Sequence, residues 1–576
     1  MRNFYLRLIK LVSFIVIIPI TSCIQYSVIP ADAVYSGGRI YTANTVSPWA
    51  QSIAVKGNRI VYVADERGAA KLICEHTKTL PLNGRLVLPG LIDGHTHPGY
   101  IALASRHLPL PEAGSTEVLY KAVETMVNSH PDQDVIIAIP WDNNLFGPNG
   151  PHKRMLDEIE PNRPLLIWDS WMHSLWVNTK ALEAAGVDST VEDPVPGFAF
   201  HQRDEQGDLT GYITESAATD FWNKFESLAP QSETTLLAFL TYLKNHGVTT
   251  LLDAGNFGLD HEVYKSIQRL DKLGKLPLRY HGTYTLFLPD KVDTAVATLK
   301  AMRSEFKSQK ITVDTLKLFL DGVIETRTAH MFNDYIDTPG NNGNALLSRD
   351  RLHALILELE REGLHLHFHT VGNKATTTAL NAIEDARKTL DRPFNIRIAL
   401  SHLEDMDVSD ASRFKTLGVI AQFTPQWHGG SDSDSYDYSI GELQEKMFLT
   451  KSLFNAGAVV SFSSDTYFTS DWEAGNANPF TGIQVGHNRQ KVEDGPNGPV
   501  AEPKNEALSR EEMVTGYTRN GAYQLGVEDQ VGSLEVGKKA DFIVLDKDLF
   551  TVDKYTIHQV KPDAVILDGE IVHGAL

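Results

Sequence analysis

The long middle of this chain repeats one pattern, in which short apolar runs are separated by stretches of helical character. Residues 135–139, 165–168, 249–253, 316–320, 364–368, 397–400 and 459–462 are candidate strands. Helical patterns at 349–362 and 511–525 lie between some of them. Strands joined by helical crossovers pair in parallel, so the alternation predicts an α/β fold. The middle is long enough for a (β/α)8, TIM-like barrel.

The two ends read differently. Residues 33–42 and 51–64 are β-branched and aromatic runs broken by Gly-Gly and Gly-Asn turns, and 532–546 and 564–572 repeat that character. Strand-rich ends around a long middle predict that the termini meet in one small β-sandwich. The expected division is 24–88 and 530–576 for that composite domain and 89–529 for the barrel, with an insertion around 110–230.

The first 23 residues are expected to be a lipoprotein signal peptide. Arg2, Arg7 and Lys10 precede an apolar stretch over 11–20, shorter than the roughly 20 residues a spanning helix needs. It ends in Ile20-Thr21-Ser22-Cys23, the form of a lipobox, so Cys23 is the expected lipidation site. Acyl chains there would anchor the protein to the cell envelope. Ile24 and Gln25 follow Cys23 rather than Asp, which in a Gram-negative cell favours the outer membrane.

A net charge of -20 argues against nucleic-acid partners and does not identify the substrate, which is expected to be a small molecule. With only Cys23 and Cys74, a disulfide scaffold or a cysteine zinc finger is excluded. A metal site must then come from histidine, carboxylate or modified lysine.

Residues 88–98, Leu-Pro-Gly-Leu-Ile-Asp-Gly-His-Thr-His-Pro, carry the strongest signal. Alternate side chains of a strand share a face, so His95 and His97 project together and can share one cation as neutral nitrogen ligands. Lys317, His369, His402 and Asp465 each fall at or just after another candidate strand end. In a barrel the strand C-termini converge on one face, where residues distant in sequence meet. Each alone has an ordinary reading: a salt bridge for Lys317, core hydrogen bonds for His369 and His402, a helix cap for Asp465. Their order makes coincidence a poor account.

These residues in this order resemble the amidohydrolase superfamily, specifically its amidohydrolase-3 (YtcJ-like) branch. The likeness spans essentially the whole chain after Cys23, including residues 168–178, Trp-Asp-Ser-Trp-Met-His-Ser-Leu-Trp-Val-Asn, and the closing Gly-Ser-Leu-Glu-Val-Gly-Lys-Lys-Ala-Asp-Phe. The resemblance implies a hydrolase of amide-like, non-peptide carbon–nitrogen bonds that uses one or two divalent ions, zinc by default. It implies that His95, His97 and Asp465 bind a first metal, that His369 and His402 bind a second, and that Lys317 bridges them as a carboxylated lysine. Metal-activated water then attacks the carbonyl carbon, and Asp465 carries its proton to the leaving amine. His173, Asn178 and, from its own sequence setting, His428 are candidates for substrate contact.

Two positions depart from the branch pattern. Asn373 stands where an aspartate usually follows His-x-x-Gly, and Ser401 stands where an acidic residue often precedes the next histidine. Losing those carboxylates predicts weaker orientation of the imidazoles. Glu215 is either a helix-starting residue or a carboxylate bridge in place of a modified Lys317. Trp141, Trp168, Trp171, Trp176 and Trp427 point either to an apolar substrate rim or to core packing. Two alternatives stay open at this level: the same metal site acting on a lactone, ester or isomerisation, and a ligand-binding lipoprotein without turnover.

Overall fold

The computed structural model describes residues 30–576 apart from 228–231, 431–434, 469–471 and 473. The expected signal and Cys23 lie outside the described residues. Eight parallel strands form the central sheet: β1 (Leu91–Thr96), β2 (Val248–Asp253), β3 (Arg279–Leu286), β4 (Ile311–Phe319), β5 (His365–Thr370), β6 (Ile398–His402), β7 (Ile420–Phe423) and β8 (Val459–Phe462). They pair in that order from β1 to β8, the sheet of a TIM-like barrel with helices outside it.

The seam between β8 and β1 is closed by side chains and by backbone just past the strands. Gln524 donates to the Gly94 carbonyl at 2.7 Å and accepts from the Ser461 hydroxyl at 2.5 Å, so one buried amide joins both edges. Gly94 leaves it room, since a Cβ there would lie 2.8 Å from the Gln524 oxygen. Asp93 accepts from the Ser464 hydroxyl and backbone N–H, and Asp465 N–H donates to the His95 carbonyl at 2.9 Å. These contacts draw Asp465 to the mouth of β1.

The chain ends form a second unit of two sheets. Leu86–Pro89 pairs antiparallel with Phe542–Leu545, Val87 opposite Val544, so residues from both ends share one ladder. Tyr35, Ile40, Ile53, Val87, Phe542 and Ile566 fill the space between the sheets.

Between β1 and β2 the chain builds a separate six-stranded sheet, from Leu108–Pro109 to Leu209–Thr214. Ile136–Trp141 and Leu165–Asp169, two of the apolar runs in the barrel-like alternation, belong to it and not to the barrel. The barrel instead uses β3, whose sequence Arg-Tyr-His-Gly-Thr-Tyr-Thr-Leu has no apolar run, and β7.

Candidate metal centre

β1 delivers His95 within the strand and His97 one residue past its end, both buried. His97 Nδ1 donates to the Gly255 carbonyl at 3.0 Å, leaving the Nε2 lone pair 3.3 Å from Asp465 Oδ1. His95 Nδ1 lies 3.1 Å from Gln422 Oε1. The Gln422 amide nitrogen already donates to Phe423 O and the Ser463 hydroxyl, so its oxygen accepts and His95 Nδ1 carries the proton. His95 Nε2 is therefore also a lone pair, 3.6 Å from Asp465 Oδ1. One ligand atom from each of His95, His97 and Asp465 lies within 4.8 Å of the others, a spacing a single cation spans.

Lys317, at the seventh position of β4, puts its nitrogen 3.1 Å from His95 Nε2. Burial holds its ammonium down at about 7, partly opposed by Asp465. His369 ends close to His402, ring centroids 4.4 Å apart, and Asp465 Oδ2 lies 3.5 Å from His402 Nδ1. His369 stacks on Phe319 and His402 on Trp427. All six expected ligand residues line one cavity of about 70 Å³.

Burial, reinforced by neighbouring cations, keeps His95, His369 and His402 neutral well below the ordinary imidazole range. Neutral rings offer lone pairs. Both ring nitrogens of His402 and Nδ1 of His369 are buried without a hydrogen-bond partner. An orphaned buried polar atom costs about 1–3 kcal/mol, and a metal ligand set is one arrangement that removes the cost. The donors thus fit a divalent cation. His402 (φ 76°) and Asp465 (φ 44°) also hold left-handed backbone, costing about 1–3 kcal/mol each, at the points where the strands turn into the site.

The remaining expected residues divide. His173 is at the cavity wall, its ring 5.3 Å from that of His369, and its Nδ1 sits 2.6 Å from Glu215 Oε2. Burial opposes its charge, yet the Glu215 carboxylate prevails and lifts it to about 9. Glu215 begins the helix Glu215–Trp222 at φ 53° and takes the Thr328 hydroxyl on its other oxygen, so its observed partners are His173 and threonine. Asn178 is placed away from the cavity. Its side chain caps the helix Thr179–Ala185 and bonds the backbone of Glu160, Arg163 and Leu165. His428 is also outside this cavity, packed against Phe423 and Phe448 beside a larger neighbouring hollow. Trp171 and Trp427 line the site, whereas Trp141, Trp168 and Trp176 are packed in cores.

The two departures acquire local reasons. Asn373 starts the helix Asn373–Leu390, accepts from Phe332 N–H and donates to the Asp405 carboxylate at 2.8 Å. An aspartate there would face another carboxylate. The Ser401 hydroxyl donates to Phe368 O and sits 3.0 Å from His367 Nε2. His367 itself packs 3.0 Å from His95 Nδ1 and was not among the expected residues. Its signal was present: 365, 367 and 369 alternate on one face of β5. Gln422, Glu325 and Glu404 were missed as well, and no periodicity marks them.

Residues 78–573 match the sequence profile described as "Amidohydrolase family". The chain belongs to the amidohydrolase family. This amidohydrolase is an enzyme, a metal-dependent hydrolase of carbon–nitrogen bonds. It is 28% identical over 531 residues to Protein LONG AFTER FAR-RED 3 of Arabidopsis thaliana, covering 90% of this chain and 87% of that one. It is 25% identical over 531 residues to an N-substituted formamide deformylase of Arthrobacter pascens, covering 90% and 94%. A solved structure of an uncharacterized metal-dependent hydrolase from Pyrococcus horikoshii OT3 shares the fold, with TM-score 0.66, 23% identity and coverage of 91% and 99%.

Proposed function

We propose that this amidohydrolase cleaves an amide-like bond in a small molecule at a centre of two zinc ions. His95, His97 and Asp465 would hold one ion, His369 and His402 the other, with Lys317 joining them as its N-carboxylate. One observation carries the reading: the unpartnered buried nitrogens of His369 and His402 line the same cavity as the His95–His97–Asp465 set. Zinc suits imidazole and carboxylate donors. A deformylase of N-substituted formamides among the relatives supports an acylated amine as substrate.

When bound, the metal supplies a Lewis acid and acidifies water. The chain does the rest. Gly255 O and Gln422 Oε1 fix the tautomers of His97 and His95, so both rings present Nε2. Asp465 reaches His97 through Oδ1 and His402 through Oδ2. From there its carboxylate takes a proton from the attacking water and returns it to the leaving nitrogen. Trp171, Phe257 and Trp427 exclude bulk water from the cavity. Burial of Lys317 populates its neutral amine near pH 7, the form that adds carbon dioxide with loss of one proton.

Elemental analysis of the purified protein tests this. Two zinc ions per chain, with Lys317→Ala losing metal that bicarbonate does not restore, is the expected result. One ion unaffected by Lys317→Ala would replace the bridged centre with a mononuclear one, and no metal after zinc loading would overturn the reading.

We further propose envelope anchoring through acylated Cys23, supported by the Ile-Thr-Ser-Cys sequence. No helix of the described residues is long and apolar enough to cross a membrane. Labelled palmitate incorporated by the native chain and not by Cys23→Ser is the expected result; equal labelling would refute it.

A further inference from the structure

The small metal cavity adjoins a second, larger hollow of about 1560 Å³. Trp427 and Asp465 line both spaces, so a molecule held at the metal ligands extends naturally into the larger one. His428, in the short helical segment Pro425–Gly429 after β7, stands in the wall of that hollow. It is 1% exposed, and neither of its ring nitrogens has a hydrogen-bond partner. Those nitrogens are outside the small cavity and have no part in the metal centre. Burial, reinforced by the charge of Arg489, keeps the ring neutral, so it presents one N–H and one lone pair.

Arg489 follows the helix Pro479–Asn488, lines the same hollow and is equally buried. The two segments touch through their backbones, since a Cβ on Gly429 would lie 2.8 Å from Lys491 N. Phe448 also joins them: its ring centroid is 4.8 Å from that of His428, and its carbonyl accepts from Arg489 Nη1 at 3.5 Å. Arg489 Nη2 donates to Glu502 O at 2.7 Å, and Nε has no partner. Burial draws the guanidinium down to about 10 against the supporting charges of Glu506 and Glu502, so it stays a cation at neutral pH. Both of those carboxylates are engaged elsewhere, Glu506 by the Ser452 hydroxyl and Glu502 by Lys504.

A buried N–H without an acceptor is unfavourable, and here an imidazole and a guanidinium on touching segments each have one to offer. An anion with two acceptor oxygens answers both. A phosphate brings more charge and more oxygens than one guanidinium and one neutral ring can meet, whereas a carboxylate matches them. The hollow also has acids in its wall, Glu445 and Glu493 among them, so a carboxylate is held only where Arg489 outweighs them.

We propose that His428 and Arg489 form a subsite for a carboxylate, so that the substrate is an N-acyl compound carrying a carboxylate on the part that enters the larger hollow. This rests on the carbon–nitrogen hydrolase reading and narrows it. The scissile bond lies at the metal ligands, and the carboxylate lies past Trp427.

Binding is measured first, because it does not depend on turnover. Calorimetry on the zinc-loaded full chain at pH 7.5 compares hexanoate with 1-hexanol, its uncharged counterpart. Hexanoate should bind at least tenfold more tightly, and His428→Leu and Arg489→Met, checked for folding by thermal melting, should each remove most of that preference. A crystal structure of the zinc-loaded native chain with hexanoate decides the matter without a variant. Its carboxylate is expected within hydrogen-bond distance of Arg489 Nε. A carboxylate found on zinc alone, or equal binding of the two probes, would overturn the subsite.

Kinetics then compare N-acetyl-6-aminohexanoate with N-acetylhexylamine. The ratio of their kcat/KM values should favour the carboxylate at least tenfold and fall towards one in His428→Leu. Hexanoate bound at Arg489 without hydrolysis of either amide would sink the hydrolase reading and leave the subsite standing. Hydrolysis of both at equal kcat/KM would do the reverse.

Discussion

Replacing Gln422 by leucine removes the acceptor that holds the proton of His95 on Nδ1. Gln422 is fully buried, and leucine is close to it in size, so the barrel interior keeps its volume. The Phe423 carbonyl that loses the Gln422 amide still accepts the Ser463 backbone N–H, and the Ser463 hydroxyl keeps contacts to Thr424 and Phe423. The loss therefore falls on His95 Nδ1, whose one other neighbour is His367 Nε2 at 3.0 Å. A buried donor left without an acceptor costs about 1–3 kcal/mol, the ceiling for this change. At about 1.4 kcal/mol per factor of ten, this corresponds to roughly 5- to 150-fold weaker metal binding if the ring turns or changes tautomer. Loss of a ligand-orienting partner independently predicts about 10- to 100-fold, in agreement. The assay is zinc competition against a chromophoric chelator, with thermal melting alongside to show that the variant is folded. Gln422→Glu retains an acceptor for the His95 proton and should bind zinc at least as tightly as leucine allows. A folded Gln422→Leu protein binding zinc within twofold of the native affinity would refute the argument that this contact sets the His95 tautomer.

Asp465→Asn should cut hydrolysis of an N-acyl amine about 10²- to 10⁴-fold, as loss of a proton shuttle does; steady-state kinetics at saturating zinc decide it, and unchanged turnover would exclude the role. Lys317 has its folded pKa lowered from 10.5 to about 7, so the unfolded chain binds more protons between those values and metal-free stability should rise with pH across that window. Urea midpoints at pH 7 and 9.5 should separate less in Lys317→Met than in the native chain, and equal separation would contradict the burial argument. Gln524→Leu strips the seam bonds to Gly94 and Ser461 and should lower stability by about 1–3 kcal/mol in urea unfolding; an unchanged midpoint would mean the barrel closes without them.

The barrel, and the gathering of the six expected residues at one cavity, were legible because each rests on local chemistry. A His-x-His pair at a strand end has one geometry, and strand C-termini in a barrel share one face. The insertion was less legible. Buried strands such as Ile136–Trp141 are apolar whether they join a barrel or a separate sheet, so composition does not assign them. β3 escaped notice for the opposite reason, since its Thr, Tyr and His residues find partners inside the barrel, as Tyr280 does with Asp253. Tertiary context also decided Asn178, whose position in a family-like stretch suggested substrate while its amide serves the helix start. Glu325 and Glu404 meet only because two loops far apart in sequence fold over one opening.

The shared ladder of Leu86–Pro89 and Phe542–Leu545 sets an order on how the molecule is made. The early strand leaves the ribosome with one edge bare, and its partner emerges only after the whole barrel has been synthesised. Until then an apolar strand edge is available to other chains, the hazard that unpaired edges bring. The entropy of joining such distant segments grows only slowly with the length between them, so the delay is the heavier burden. Chains cut short before residue 542 should carry a complete barrel sheet and still fail as a soluble product.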